Sequence, residues 1–198
     1  MIYTAGIVLD IEEQESLEQL QDNKLTVVCE KLNLQPEDRL LDIGCGWGTL
    51  AAFAHKNYDC EVTGITLGKN QTKFGNERIK DNGGDPSRAR ILCMDYREIP
   101  AQKGSFTKIV SLEMAEVRAY TPFPIGIIDH SYPKHVGIRR YQSFLRQIYD
   151  LLDDDGIFVL QVAGLRPHWQ YEDLIWYGLP YRISSIANKV DNWTGVSS

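Results

Sequence analysis

The chain has 198 residues, enough for one domain with a sizeable core, and its formal net charge of -6 offers no positive field for a phosphate backbone, so nucleic acid is excluded as the first partner to consider. No apolar run reaches about 18 residues and Met1-Ile2-Tyr3 does not begin a secretory signal, so neither a membrane span nor export is expected. Cys29, Cys45, Cys60 and Cys93 lack metal-ligand spacing and are expected as free thiols of an intracellular protein.

Tyr3-Thr4-Ala5-Gly6 stands before an acidic stretch, an abrupt start that predicts a longer amino terminus upstream. Ser16-Leu17-Glu18-Gln19 has the pattern of a capping box, and Leu17, Leu20, Val27, Val28 and Leu32 then recur at helical spacing until Asn33 to Pro36 ends the run. Arg39-Leu40-Leu41-Asp42-Ile43 is a short apolar run that ends in an acid and passes into Gly44, Gly46 and Gly48. It predicts a buried strand delivering a tight turn to a helix over Thr49 to Lys56, with glycines that let backbone amides approach a ligand closely. A second strand is expected over Glu61 to Leu67, and a helix from Lys69 to about Lys80, broken at Asn82-Gly83-Gly84-Asp85-Pro86.

Ala89 to Met94 predicts a third strand, followed by Asp95-Tyr96-Arg97. Phe106 to Leu112 predicts a fourth, with Glu113-Met114-Ala115-Glu116 at the sheet edge where open α/β folds carry out chemistry. His135 to Leu152 has a helical pattern with Tyr141, Phe144, Ile148 and Leu151 or Leu152 on one face. Asp153-Asp154-Asp155-Gly156 reads as a solvated turn, and Ile157 to Ala163 as the fifth strand. The alternation is that of an α/β doubly wound sheet.

The glycine turn by itself admits a dinucleotide, another adenosyl ligand, or a turn with no ligand at all. Two residues sharpen it. Asp42 precedes the first glycine, and no acid stands at Ile65-Thr66-Leu67, where a dinucleotide site needs one for the ribose. S-adenosylmethionine is therefore expected, with Asp42 holding its amine or sulfonium end and the following helix amino terminus facing its carboxylate.

The run Leu41-Asp42-Ile43-Gly44-Cys45-Gly46-Trp47-Gly48, followed by Val62-Thr63-Gly64-Ile65-Thr66-Leu67 and Lys69-Asn70-Gln71, resembles the cyclopropane-fatty-acid synthase family of S-adenosylmethionine-dependent methyltransferases. The resemblance covers about residues 1–116 and 135–176. It implies a Rossmann-like class I methyltransferase sheet, mostly parallel and here incomplete at the C-terminal edge. It also implies three parts: a cofactor-covering segment with its helix over 1–36, the methyltransferase domain over 37–176, and a divergent tail over 177–198. By the same resemblance Tyr3 and Thr4 close over the cofactor, Thr66 and Gln71 meet it near the ribose, Asp95 accepts from the adenine amino group and Tyr96 packs near the ring. A frayed terminus, solvated polar side chains and an ordinary loop start are the alternative readings of these positions.

The wording lies nearest to fungal members that methylate carbon 9 of a sphingoid base, which implies a lipid substrate and membrane-surface association at the endoplasmic reticulum through segments outside this chain. An alkene is a weak nucleophile, so such catalysis rests on alignment and on tolerating a carbocation. Ring-forming relatives hold a bicarbonate base with a Cys, a Glu matching Glu116 and a His in the fifth strand. Ala5 and Gln161 replace the Cys and the His here, which favours a methyl-branched product over ring closure. Glu116 and His135 are the candidates for steering or accepting the proton, the alternative being that they only order the strand end.

The family runs from Glu116 directly into His135, whereas this chain interposes Val117 to Lys134, with three prolines and no sustained period. Every valine codon begins GT and one lysine codon ends AG, so the segment reads as an intron retained in frame, with a lid loop as the alternative. Tyr177 to Ser198 matches nothing the family leads one to expect and reads as further read-through or a truncated gene, leaving the fifth strand without a neighbour and the isolated chain poorly soluble. Three other functions stay open: a cyclopropane-fatty-acyl-phospholipid synthase, a methyltransferase for a small polar molecule, and a non-functional fragment.

Overall fold

A computed structural model describes residues 6–9, 12, 14–100, 102–114, 140–162 and 184–188, with Val162 and residues 184–188 described by their backbone. Among the described residues, six strands form one sheet in the order β3-β2-β1-β4-β5-β6. β1 (Arg39–Ile43), β2 (Glu61–Thr66), β3 (Ala89–Cys93), β4 (Phe106–Leu112) and β5 (Leu152–Val162) are parallel, and β6 (Ser184–Asn188) is antiparallel to β5. The order reverses between β1 and β4, so the carboxyl ends of these two strands flank the crevice where a doubly wound sheet binds its ligand.

Helices α1 (Leu17–Leu32), α2 (Thr49–Tyr58) and α3 (Lys69–Asp81) cover one face, and α4 (Tyr141–Leu151) covers the other. Alternation along the central strands separates two cores: Leu40, Val62, Val110 and Val159 meet α1 and α2, while Leu41, Ile43, Ile65 and Ile109 lie on the side of Phe144, Ile148 and Leu151. The Ser16 capping box forms as its sequence predicts, Ser16 Oγ accepting from Gln19 N and the Gln19 side chain accepting from Ser16 N. On α4, Phe144, Ile148 and Leu151 are buried as their spacing predicts.

Three differences have physical reasons. Leu17, expected on the buried stripe of α1, is 67% exposed in the first turn, and the stripe is carried by Lys24, Leu25, Val28, Cys29 and Leu32. Asp153 to Gly156 is no separate turn but part of β5, where the register jumps from Phe106↔Leu152 to Lys108↔Ile157. The looped-out acids meet cations: Lys103 Nζ lies 2.6 Å from Asp154 Oδ1 and Arg39 Nη2 lies 3.9 Å from Asp153 Oδ2. The edge of β5, expected to be bare, carries residues 184–188 of the tail. Helix α4 opens at Tyr141, and His135 lies outside the described residues, as does the whole of Val117 to Lys134.

Candidate active site

The turn after β1 is folded back onto β2, with the amides of Gly44 and Cys45 both donating to Ile65 O at 3.0 Å. Gly44, Gly46 and Gly48 adopt φ of +78°, +55° and +71°. At Gly44 a Cβ would stand 2.7 Å from Met114 Cγ, so the residue at the end of β4 closes over the turn. At Gly48 it would stand 3.0 Å from Gly75 Cα, which lets α3 pack directly against the turn. Gly46 differs from both: nothing lies within 4 Å of its Cβ position, and no hydrogen-bond acceptor for its amide occurs among the described residues. It leaves a backbone donor beside open space next to the amino end of α2, an arrangement suited to an anionic or carbonyl oxygen.

Asp42 is 3% exposed and its Oδ2 has no hydrogen-bond partner among the described residues. Burial pushes its carboxyl up to about 7. An acid so placed stays neutral or waits for a cationic or hydrogen-bonding ligand, because an isolated buried carboxylate is too costly. The same burial, with Asp42 nearby, pushes the Cys45 thiol far up, so Cys45 is no nucleophile.

At the end of β2 the structure brings two expected residues together: Thr66 Oγ1 donates to Gln71 Oε1 at 2.8 Å across the start of α3. At the end of β3, Asp95 caps a single 3-10 turn, Tyr96–Glu98, by accepting from Arg97 N, and its carboxylate also holds the Arg97 guanidinium, with Nε at 2.8 Å. Tyr96 packs edge-on against Phe144 with centroids 5.4 Å apart, and Gln147 Nε2 donates to Tyr96 O, so the turn is pinned to α4. Asp42, Gly44, Gly46, Gly48, Thr66, Gln71 and Asp95 thus line one sheet edge, while Tyr3, Thr4, Glu116 and His135 lie outside the described residues.

A buried polar cluster at the same edge escapes sequence reading. Glu113 has φ +57°, its amide donates to Gln161 O at 2.8 Å, and Gln161 Nε2 donates to Glu113 Oε1 at 2.6 Å. Lys24, 3% exposed, reaches from α1 to within 3.9 Å of Glu113 Oε1. Burial lowers the Lys24 pKa and the Glu113 charge opposes that shift. The available signal was the spacing of Leu20, Lys24 and Val28, which puts a lysine on the apolar stripe of its own helix.

An S-adenosyl ligand fits these donors. A cationic amine suits Asp42, a carboxylate suits the Gly46 amide and the α2 amino end, and hydroxyls suit the Thr66 and Gln71 pair. Among the described residues, no group of His, Cys, Asp and Glu is arranged to hold a metal ion.

Comparison with known proteins agrees with this geometry. The sequence profile of the mycolic acid cyclopropane synthetase family matches residues 2–174. Sphingolipid C9-methyltransferase A of Emericella nidulans is 56% identical over 176 residues, 89% of this chain and 31% of the relative. Sphingolipid C9-methyltransferase of Komagataella phaffii is 54% identical over 182 residues, 89% of this chain and 34% of the relative. The chain therefore spans about a third of the length of these curated relatives. Among solved structures, mycolic acid cyclopropane synthase CmaA1 complexed with SAH and CTAB superposes with a TM-score of 0.65 at 27% identity, covering 90% of this chain and 53% of that one.

Proposed function

Because the chain belongs to the mycolic acid cyclopropane synthetase family, we propose that it is the cofactor-binding part of an S-adenosylmethionine-dependent methyltransferase that adds a methyl to an alkene carbon of a lipid, carbon 9 of a sphingoid base. The observation that carries the cofactor half is the glycine turn with a buried Asp42 Oδ2 awaiting a partner. The identity to sphingolipid C9-methyltransferases supports the acceptor. When bound, S-adenosylmethionine supplies an electrophilic methyl. Asp42 holds the amine end, the Gly46 amide and the amino end of α2 the carboxylate end, Thr66 and Gln71 the ribose, and Asp95 the adenine.

Met114 closes the turn from the side of β4. Tyr3 and Thr4 cover the cofactor, and Glu116 and His135 steer or accept the proton. Gln161, in the fifth strand, is committed to the Glu113 carboxylate, which supports a branched product over a bicarbonate-assisted ring. Among the described residues no helix is long and apolar enough to cross a membrane, and the reading puts substrate capture at a membrane surface.

The test combines calorimetric titration of the 198-residue chain with S-adenosylhomocysteine and methyl-transfer assays on three acceptors: a ceramide with an 8,9-unsaturated sphingoid base, an unsaturated phospholipid and a small polar amine. Saturable binding and methylation of the ceramide alone are expected. Methylation of the phospholipid to a cyclopropane would move the chain to the ring-forming branch, and methylation of the amine alone would sink the lipid reading.

A further inference from the structure

Lys24, Glu113 and Gln161 come from α1, the end of β4 and β5, and meet beside the residue that closes the glycine turn. As a stability device the cluster is poor. A desolvated ammonium 3.9 Å from a carboxylate gains little over apolar packing. Glu113 also adopts the left-handed conformation at φ +57°, which is strained in a residue with a Cβ. Strain and buried charge concentrated at the carboxyl edge of a doubly wound sheet mark a functional group rather than a structural one. The Glu113 side chain is 29% exposed, whereas that of Lys24 is 4% exposed, so the cluster leaves its negative member accessible and keeps its positive member inside.

Resting on the alkene-methylation reading above, we propose that Glu113 is the carboxylate that faces the positive charge developed in methyl transfer and takes up the released proton, with Lys24 and Gln161 as its positioning residues. The alkene pair forms the bond from carbon 9 to the methyl as the methyl–sulfur bond breaks and its electrons stay on sulfur, leaving a cation at carbon 8. A Glu113 oxygen accepts the proton of carbon 9, the C–H electrons restore the double bond, and the carboxyl returns the proton to water through its exposed side. A proton next to a carbocation is so acidic that the place of the base, more than its strength, selects which proton leaves. Gln161 and Lys24 both engage Oε1 and fix that place. Acceptance thus falls to Glu113, leaving the steering role to Glu116 and His135.

The test reads charge recognition without turnover. With S-adenosylhomocysteine present, the full chain and its Glu113→Gln variant are titrated calorimetrically with hexadecyltrimethylammonium below its micelle concentration, and with hexadecanol. The isosteric amide still accepts from Gln161 and removes only the charge. The variant is expected to bind the ammonium about tenfold more weakly, about 1.4 kcal/mol, with hexadecanol and S-adenosylhomocysteine unchanged within about twofold. Glu113→Asp, which retains the charge, is expected to lie between. Should the single replacement weaken folding, Lys24→Met with Glu113→Gln removes both charges together and the same ratio is read. Equal losses for ammonium and alcohol, or no loss for either, overturn the inference alone. A wild-type chain that binds neither amphiphile overturns the lipid reading and the inference with it.

Discussion

Asp42 Oδ2 has no hydrogen-bond partner among the described residues, and its burial beneath the glycine turn makes its own contribution to the pH dependence of stability. Its carboxyl moves from 3.8 to about 7 on folding because burial penalises the charge. The folded state therefore holds the proton more tightly than the unfolded one. The associated stability is fully present below pH 3.8 and is lost as pH rises through about 7, up to about 4 kcal/mol in all. Asp42→Asn is expected to match the parent at pH 4 and to exceed its stability at pH 8, read from urea denaturation at both values. The same variant is expected to lose at least about tenfold in S-adenosylhomocysteine affinity. For the parent, that affinity is expected to rise between pH 5.5 and 8, since the carboxyl must shed its proton to meet the ligand ammonium. A flat calorimetric profile would remove Asp42 from the site.

The elements around the turn are held by close backbone approach. Gly64 of β2 pairs with Asp42, and a Cβ there would stand 2.5 Å from Ile91 Cδ1 and 3.0 Å from Cys45 Sγ. Gly64→Ala is expected to cost roughly 1–3 kcal/mol by overpacking. Ile91→Val deletes the offending methyl, so the double variant should lose clearly less than the sum of the two single losses in a denaturation cycle. Helix α1 matters to the site through Lys24, and its start is fixed by Ser16. Ser16→Ala is expected to cost about 1 kcal/mol by removing the cap. That loss should appear in thermal unfolding and leave the pH profile of stability unchanged, because Ser16 touches neither Asp42 nor the Glu113 cluster.

At the scale of the molecule, the sheet gives the site its place and the tail gives the sheet its edge. Residues 184–188 add an antiparallel strand to β5, so removing the tail uncovers the hydrogen-bonding groups of a strand otherwise paired on both sides. A chain ending at Trp176 is expected to aggregate faster than the full chain, measured by light scattering at equal concentration. The reading of Val117 to Lys134 as a retained intron belongs to this scale too. It predicts that most mature transcripts join the codons of Glu116 and His135 directly. Transcripts that nearly all carry the segment would make it a native loop.

The sequence by itself determined the order of the helices and of the five parallel strands, the glycine turn and the chemical class of its ligand. Those features are local: an apolar run, a glycine that must adopt positive φ at residues 44, 46 and 48, and a cap at Ser16 are decided by residues near one another in the chain. The buried face of α4 was also legible, because helical spacing puts Phe144, Ile148 and Leu151 on one side. Partnerships across distant segments were not. That Lys24 would leave the solvent to meet Glu113, that Gln161 would hold that carboxylate, and that the acids of Asp153 to Asp155 would lie in a strand rather than a turn depend on register and packing between elements far apart in sequence. Only the tertiary structure decided them, because a buried charge is tolerated only where the fold supplies its partner, and no local pattern encodes that supply.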